Sequence, residues 1–150
     1  MPVNASNDNL GWLAPTFKLK DVSNDIMTLD QLKGNNGTVI AFICNHCPYV
    51  ISIAERLSFE AIELKKFSIN TIAIMSNDVT QYPQDSFENM KIFSKKYNFK
   101  FSYLYDETQK VAKSYGAVCT PDIFGFDGSL KLMYRGSCLL YTSDAADEGL

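Results

Sequence analysis

The sequence predicts an α/β sandwich, because buried-strand signatures alternate with an amphipathic helical pattern and a hairpin signal closes the series. Residues 38–43 and 69–75 are continuous, uncharged and rich in β-branched side chains, the pattern of strands buried on both faces. Between them Val50, Ile51, Ala54, Leu57, Ala61 and Leu64 recur at three- and four-residue spacing, with Pro48 fitted to the first turn of the helix they imply. Strand, helix and strand in succession require a right-handed crossover between parallel strands. Near the far end, Asp127-Gly128 separates residues 123–126 from 130–134, a hairpin turn between two strands.

The remaining elements follow in order. Phe17 and Leu19, then Ile26, Met27 and Leu29, flank a polar turn at 21–25, a hairpin on the face of a small sheet. Leu29 to Lys33 allows one short helical turn, closed by Gly34. A second helix is expected through Phe87, Met90, Ile92, Phe93 and Tyr97, capped by Asp85 or Ser86. Residues 101–105 form a third strand, and 108–115 a short helix stopped by Gly116. The chain shows no internal repeat and no low-complexity linker.

A chain of 150 residues, 46% hydrophobic and 21% charged, suits one domain with its own core. The net charge of -3 leaves no basic stripe for phosphates, so nucleic acid is not an expected partner, and no polybasic segment suits a membrane surface. The polar N-terminus lacks the basic start and apolar run of a secretory signal, and a cytoplasmic location is expected. Two of the four cysteines stand three positions apart, which points to chemistry rather than to a disulfide-stapled scaffold.

Cys44-Asn45-His46-Cys47-Pro48 lies at the end of a buried strand and the start of a helix. Unpaired helix amides and the positive end of the helix dipole favour a thiolate there, with the second sulfur one turn inside. Cys44 is therefore expected to be an exposed nucleophile and Cys47 the resolving thiol. Such surroundings lower a thiol from about 8.5 to about 3.5–7.5, so Cys44 should be largely ionised at neutral pH. His46, the one histidine in the chain, either tunes that thiolate toward a more oxidising disulfide or is a solvent-exposed residue at a helix start; its place between the cysteines favours tuning. A zinc site would need a second ligand pair, and Cys119 is the one further candidate.

Thr120-Pro121 follows Cys119. In this context it resembles the dipeptide that thioredoxin-fold proteins set opposite their C-x-x-C with a cis proline bond, leaving backbone free to dock a substrate strand. Otherwise Pro121 simply begins an edge strand in the trans form. Cys119 is either a third redox thiol or an inert, small apolar residue.

Taken together, these segments resemble the thioredoxin-like superfamily, and within it the redoxin or peroxiredoxin-like group related to alkyl hydroperoxide reductase and thiol-specific antioxidant proteins. The likeness covers the opening Ala14-Pro15-Thr16-Phe17, residues 43–50 and residues 115–122, and so runs from about Ala14 to Gly136. It implies a thioredoxin-like three-layer sandwich with a central mixed sheet, and Cys44 as the reactive cysteine. Two departures weaken a peroxidase assignment. Gly37 and Ala41 stand where peroxiredoxins carry a proline and a threonine or serine, and no arginine lies near Cys119 in sequence. A thioredoxin-like base is also unassigned, since residues 38–43 contain no carboxylate.

The domain is expected to span residues 14–137, after an N-terminal extension at 1–13. Residues 138–150 resemble a translated adapter sequence at the end of a truncated gene. Cys138 would then be no functional thiol and one flank of the sheet would be uncovered. The expected function is thiol-disulfide exchange at Cys44 and Cys47, with a protein or small-molecule disulfide or thiol as substrate, a reducing partner and no cofactor. The rivals are a thiol peroxidase using Cys44 and a soft-metal carrier using Cys44, His46, Cys47 and Cys119.

Overall fold

In this computed structural model, residues 10–137 are described, and they build one seven-stranded sheet flanked by helices. The elements are β1 (Lys18–Asp21), β2 (Ile26–Thr28), α1 (Leu29–Leu32), β3 (Gly37–Phe42), α2 (Pro48–Lys65), β4 (Ile69–Met75), a 3-10 turn (Pro83–Asp85), α3 (Phe87–Lys96), β5 (Ser102–Tyr105), α4 (Lys110–Tyr115), β6 (Asp122–Asp127) and β7 (Leu132–Ser137). Their order across the sheet is β2-β1-β5-β4-β3-β6-β7. The strands β3, β4 and β5 are parallel, while β6, β7, β1 and β2 add antiparallel edges. The sheet is therefore mixed, as expected. The opening hairpin belongs to this same sheet: β1 pairs with β5, matching Lys20 to Tyr105, so no separate small sheet forms.

Alternation along the central strand sorts the core into two faces. Ile40 and Phe42 enter one cluster with Phe17, Leu29, Tyr115 and Phe124. Ala41 and Ile43 enter the other, with Val50, Ala54, Met90, Phe93 and Tyr103. The first face is aromatic, and Trp12 meets Tyr115, Phe124 and Phe126 edge-on. Trp12 belongs to the stretch that the sequence placed in an extension. Its backbone oxygen accepts from the Leu132 amide, which ties residues 11–13 to β7.

Helix packing differs from the spacing argument in detail. The buried side chains of α2 are Val50, Ala54, Ser58 and Ala61, small residues that let the helix approach the sheet closely. Ile51 is left on the flank, exposed, as is Ile92 on α3. Ser86 caps α3 by accepting from the Asn89 amide, which leaves Asp85 free of capping. The last short helix starts at Lys110, later than expected, because Gln109 takes a left-handed conformation (φ 67°). Its first amides are instead satisfied by Asp106, which accepts from Val111 and Ala112. The expected tail at 138–150 lies outside the described residues, Cys138 with it. No helix among the described residues is long and apolar enough to cross a membrane.

Candidate active site

The loop between β3 and α2 is held at the carboxyl end of the central strand. After Phe42 the Ile43 amide still donates to Ile74, and the chain then turns over the sheet edge to Cys47, the N-cap of α2. Pro48 occupies the first helical turn, where a missing amide costs nothing. Because β6 runs antiparallel to β3 with Asp122 opposite Phe42, the segment before β6 arrives beside the cysteines. The Thr120-Pro121 peptide bond is cis. Thr120 is approached by both sulfurs: Cys44 Sγ lies 3.3 Å from its hydroxyl, and Cys47 Sγ donates to its carbonyl at 3.5 Å. Both cysteines are free thiols.

The environment of Cys44 differs from the exposed thiolate expected. Cys44 is 1% exposed and Cys47 is half-buried. Three residues lie between Cys44 and the first helical residue, Pro48, so Cys47 rather than Cys44 sits at the helix start. Burial pushes the Cys44 thiol up to about 11; the Thr120 hydroxyl opposes this, while the Asp85 charge and Cys47 add to it. In this dithiol form Cys44 is a protonated, packed sulfur.

Asp85 is the residue that sequence reasoning missed. It is fully buried, and its carboxylate accepts from the Asn45 amide at 2.7 Å, His46 Nδ1 at 2.7 Å and Asn77 Nδ2 at 2.9 Å. Asn45 in turn donates its side-chain amide to Gln84 O and accepts from the Tyr103 hydroxyl at 2.8 Å. His46 is stacked on Tyr82, with ring centroids 4.8 Å apart. The site loop is thus bolted to the 3-10 turn by buried, charge-assisted bonds. The available signal was Pro83 followed by Asp85, but that spacing also fits an ordinary helix cap. His46 is therefore neither a freely solvated side chain nor a direct donor to the Cys44 sulfur among its described bonds. It is partnered by Asp85.

Cys44, His46 and Asp85 each offer a ligand atom within 4.8 Å of the other two. Sulfur, imidazole and carboxylate would suit a zinc or copper ion. Here His46 Nδ1 and the Asp85 oxygens are spent on each other and on two further donors, so the set is arranged as a hydrogen-bonded network rather than an open coordination shell. Cys119 is disulfide-bonded and stands outside that cluster.

An arginine does reach the Thr120 loop, though from β7 and not from the neighbouring sequence. Arg135 donates to the buried Asp122 at 2.8 Å and to the Gly116 carbonyl at 2.8 Å, and lies over the Phe124 ring. Its described bonds brace the loop at both ends.

Comparison with known proteins gives the architecture a family. A crystal structure of an uncharacterized conserved protein from Geobacillus kaustophilus is 46% identical, with a TM-score of 0.83 over 85% of this chain and 68% of that one. Peroxiredoxin Q, chloroplastic, of Populus jackii is 29% identical over 78% of this chain and 50% of its own length. The chain spans about half the length of the curated relatives it matches, 48–56% for the others. Peroxidoxin BcpB from Mycobacterium tuberculosis, at 18% identity and a TM-score of 0.72, covering 86% of this chain and 85% of that one, shows the shared thioredoxin-like fold alone. The AhpC/TSA family profile matches residues 10–139. With its mixed sheet, its cysteine pair at the head of α2 and that profile match, the chain belongs to the AhpC/TSA family.

Proposed function

We propose that this chain is a thiol-disulfide oxidoreductase working by dithiol/disulfide exchange at Cys44 and Cys47. The observation that carries this is the convergence of two free thiols on one residue, Thr120, at the end of the central strand. A thiolate of the pair attacks a disulfide sulfur of a protein or small-molecule substrate and forms a mixed disulfide. The second cysteine then attacks its neighbour, closing the Cys44–Cys47 bond and releasing the reduced substrate. A reducing partner restores the dithiol. In either order Cys44 must give up its proton, as attacker on the outside disulfide or as partner in the internal one. Thr120 and Pro121 form the face beside which a substrate backbone would lie.

The test is equilibration with glutathione, followed by thiol trapping and mass spectrometry that scores each cysteine separately. A reversible couple confined to Cys44 and Cys47 supports the proposal; absence of that bond overturns it. A second reading, thiol peroxidase, is favoured by the likeness to peroxiredoxin Q. Against it stand Gly37, in place of a proline, and Ala41, which offers no hydroxyl, together with the bonds that Arg135 makes with Asp122 and Gly116. Peroxide consumption coupled to a regenerating thiol, with sulfenic acid on Cys44, would favour that second reading.

A further inference from the structure

We propose that Asp85 is a positioning residue that holds Cys44 as a thiol in the resting dithiol, and so keeps the pair a poorer oxidant as pH rises. The inference rests on the exchange chemistry proposed above and adds its pH dependence.

The geometry supports it from several sides. Asp85 is a fully buried carboxylate with a ligand atom within 4.8 Å of the Cys44 sulfur. The titratable groups facing Cys44 are Asp85 from the 3-10 turn, His46 and Cys47 from its own loop, and Tyr103 from β5. The Nδ1 nitrogen of His46 is turned to Asp85, and no described hydrogen bond runs from the ring to the Cys44 sulfur. Thr120 supplies one neutral hydroxyl. A thiolate at Cys44 would therefore put a second negative charge beside a buried carboxylate, which adds to the burial that first pushes the thiol up to about 11.

The consequence for direction comes from the electron balance. Opening the Cys44–Cys47 bond takes two electrons and two protons; both sulfurs are reduced, and the reductant's two sulfurs become a disulfide. A disulfide is a strong oxidant when its reduced form is stabilised as a thiolate. Asp85 withholds that stabilisation at alkaline pH, where a Cys44 thiolate would otherwise form, and there the reverse step is favoured. The dithiol passes two electrons to a substrate disulfide, the Cys44–Cys47 bond forms, and the two protons go to the two substrate sulfurs. The oxidising bias expected from His46 between the cysteines has no described hydrogen bond to the Cys44 sulfur behind it, since the ring's Nδ1 bonds the carboxylate.

The experiment compares the full chain with Asp85→Asn and Asn77→Ala, reading Cys44 alkylation by iodoacetamide against pH and equilibrium with glutathione. Asp85→Asn removes the charge. Burial of the sulfur remains in the variant, so Cys44 falls only part of the way from about 11 toward 9.0, and its thiolate population at pH 7 rises by less than about 100-fold. The lower intrinsic nucleophilicity of the less basic thiolate takes back part of that gain, leaving alkylation a few-fold faster. The glutathione equilibria of the two proteins should coincide at pH 7 and separate by pH 10, with the variant the better oxidant. Asn77→Ala, which removes a donor from the carboxylate, should slow alkylation. Opposite signs for the two variants are the signature. An unchanged profile in Asp85→Asn, or both variants moving in the same direction, overturns the proposal. Alkylation does not depend on disulfide formation, so failure of the exchange function itself would show separately, as no Cys44–Cys47 bond by mass spectrometry.

Discussion

The two faces of the sheet are built by different means. On one, Trp12 meets Tyr115, Phe124 and Phe126 edge-on and Phe42 meets Phe124 in the same way, so stability comes from the area and shape of apolar side chains. On the other, Ala41, Ala54 and Ala73 bring helices close, and the space beyond them holds Cys44, Asn45, Asp85 and Tyr103 in a polar network. The aromatic face can lose volume without touching chemistry. The polar face cannot lose a single donor without changing the charge balance beside a reactive sulfur. Stability and reactivity are thus divided between opposite sides of the same strands, with β3 contributing to both through alternate residues.

The largest effect that would sharpen this contrast is on the sulfurs. Replacing either Cys44 or Cys47 by serine should cut exchange turnover by about 10³-fold or more, while leaving the melting temperature within a few degrees. The variant that accumulates a mixed disulfide with oxidised glutathione identifies the attacking thiol: Cys47→Ser if Cys44 attacks first, Cys44→Ser if Cys47 does. On the aromatic face, Phe124→Ala should cost about 3–5 kcal/mol in urea unfolding. It should leave Cys44 alkylation of the folded protein unchanged, and a shift in that profile would break the division of labour.

A smaller effect concerns pH. The folded-state value of Cys44 is raised above the ordinary 9.0 to about 11, so its thiol form is favoured by folding. That contribution is fully present below pH 9 and is lost as pH rises toward 11. Urea midpoints between pH 8 and pH 11 should fall more steeply for the parent than for Cys44→Ala, while the tyrosine titrations are common to both. The smallest effect is Tyr103→Phe, which leaves the Asn45 side-chain oxygen without its donor and should cost about 1–2 kcal/mol. Its hydrogen-exchange signature should appear in residues 44–47.

Much of the scaffold was legible in the sequence because it is locally encoded. Residues 38–43 and 69–75 announce buried strands by composition alone, and Pro48 marks a helix start because its ring fits only there. The AhpC/TSA family follows from segments that are contiguous in sequence. The site was legible in its sulfurs but not in its electrostatics. Asp85 lies 39 residues from His46 and resembles a helix cap until β4 returns it to the loop. Arg135 reaches Asp122 across the β6–β7 hairpin, 13 residues away, so linear spacing around Cys119 could not show it. A thiol's ionisation depends on what surrounds it in space, and a local motif carries only part of that information.

Tyr103 has a consequence for how the molecule can be altered. Its backbone amide donates to the Asp21 carboxylate at the end of β1, its carbonyl accepts from Val22, and its hydroxyl reaches Asn45 beside Cys44. One residue of β5 is therefore a tether between the opening hairpin and the redox loop. An insertion in the turn at 21–25, on the outer edge of the sheet, would pull on that tether, so this hairpin is a poor place to attach a tag and a sensitive place to mount a reporter of the cysteines' state.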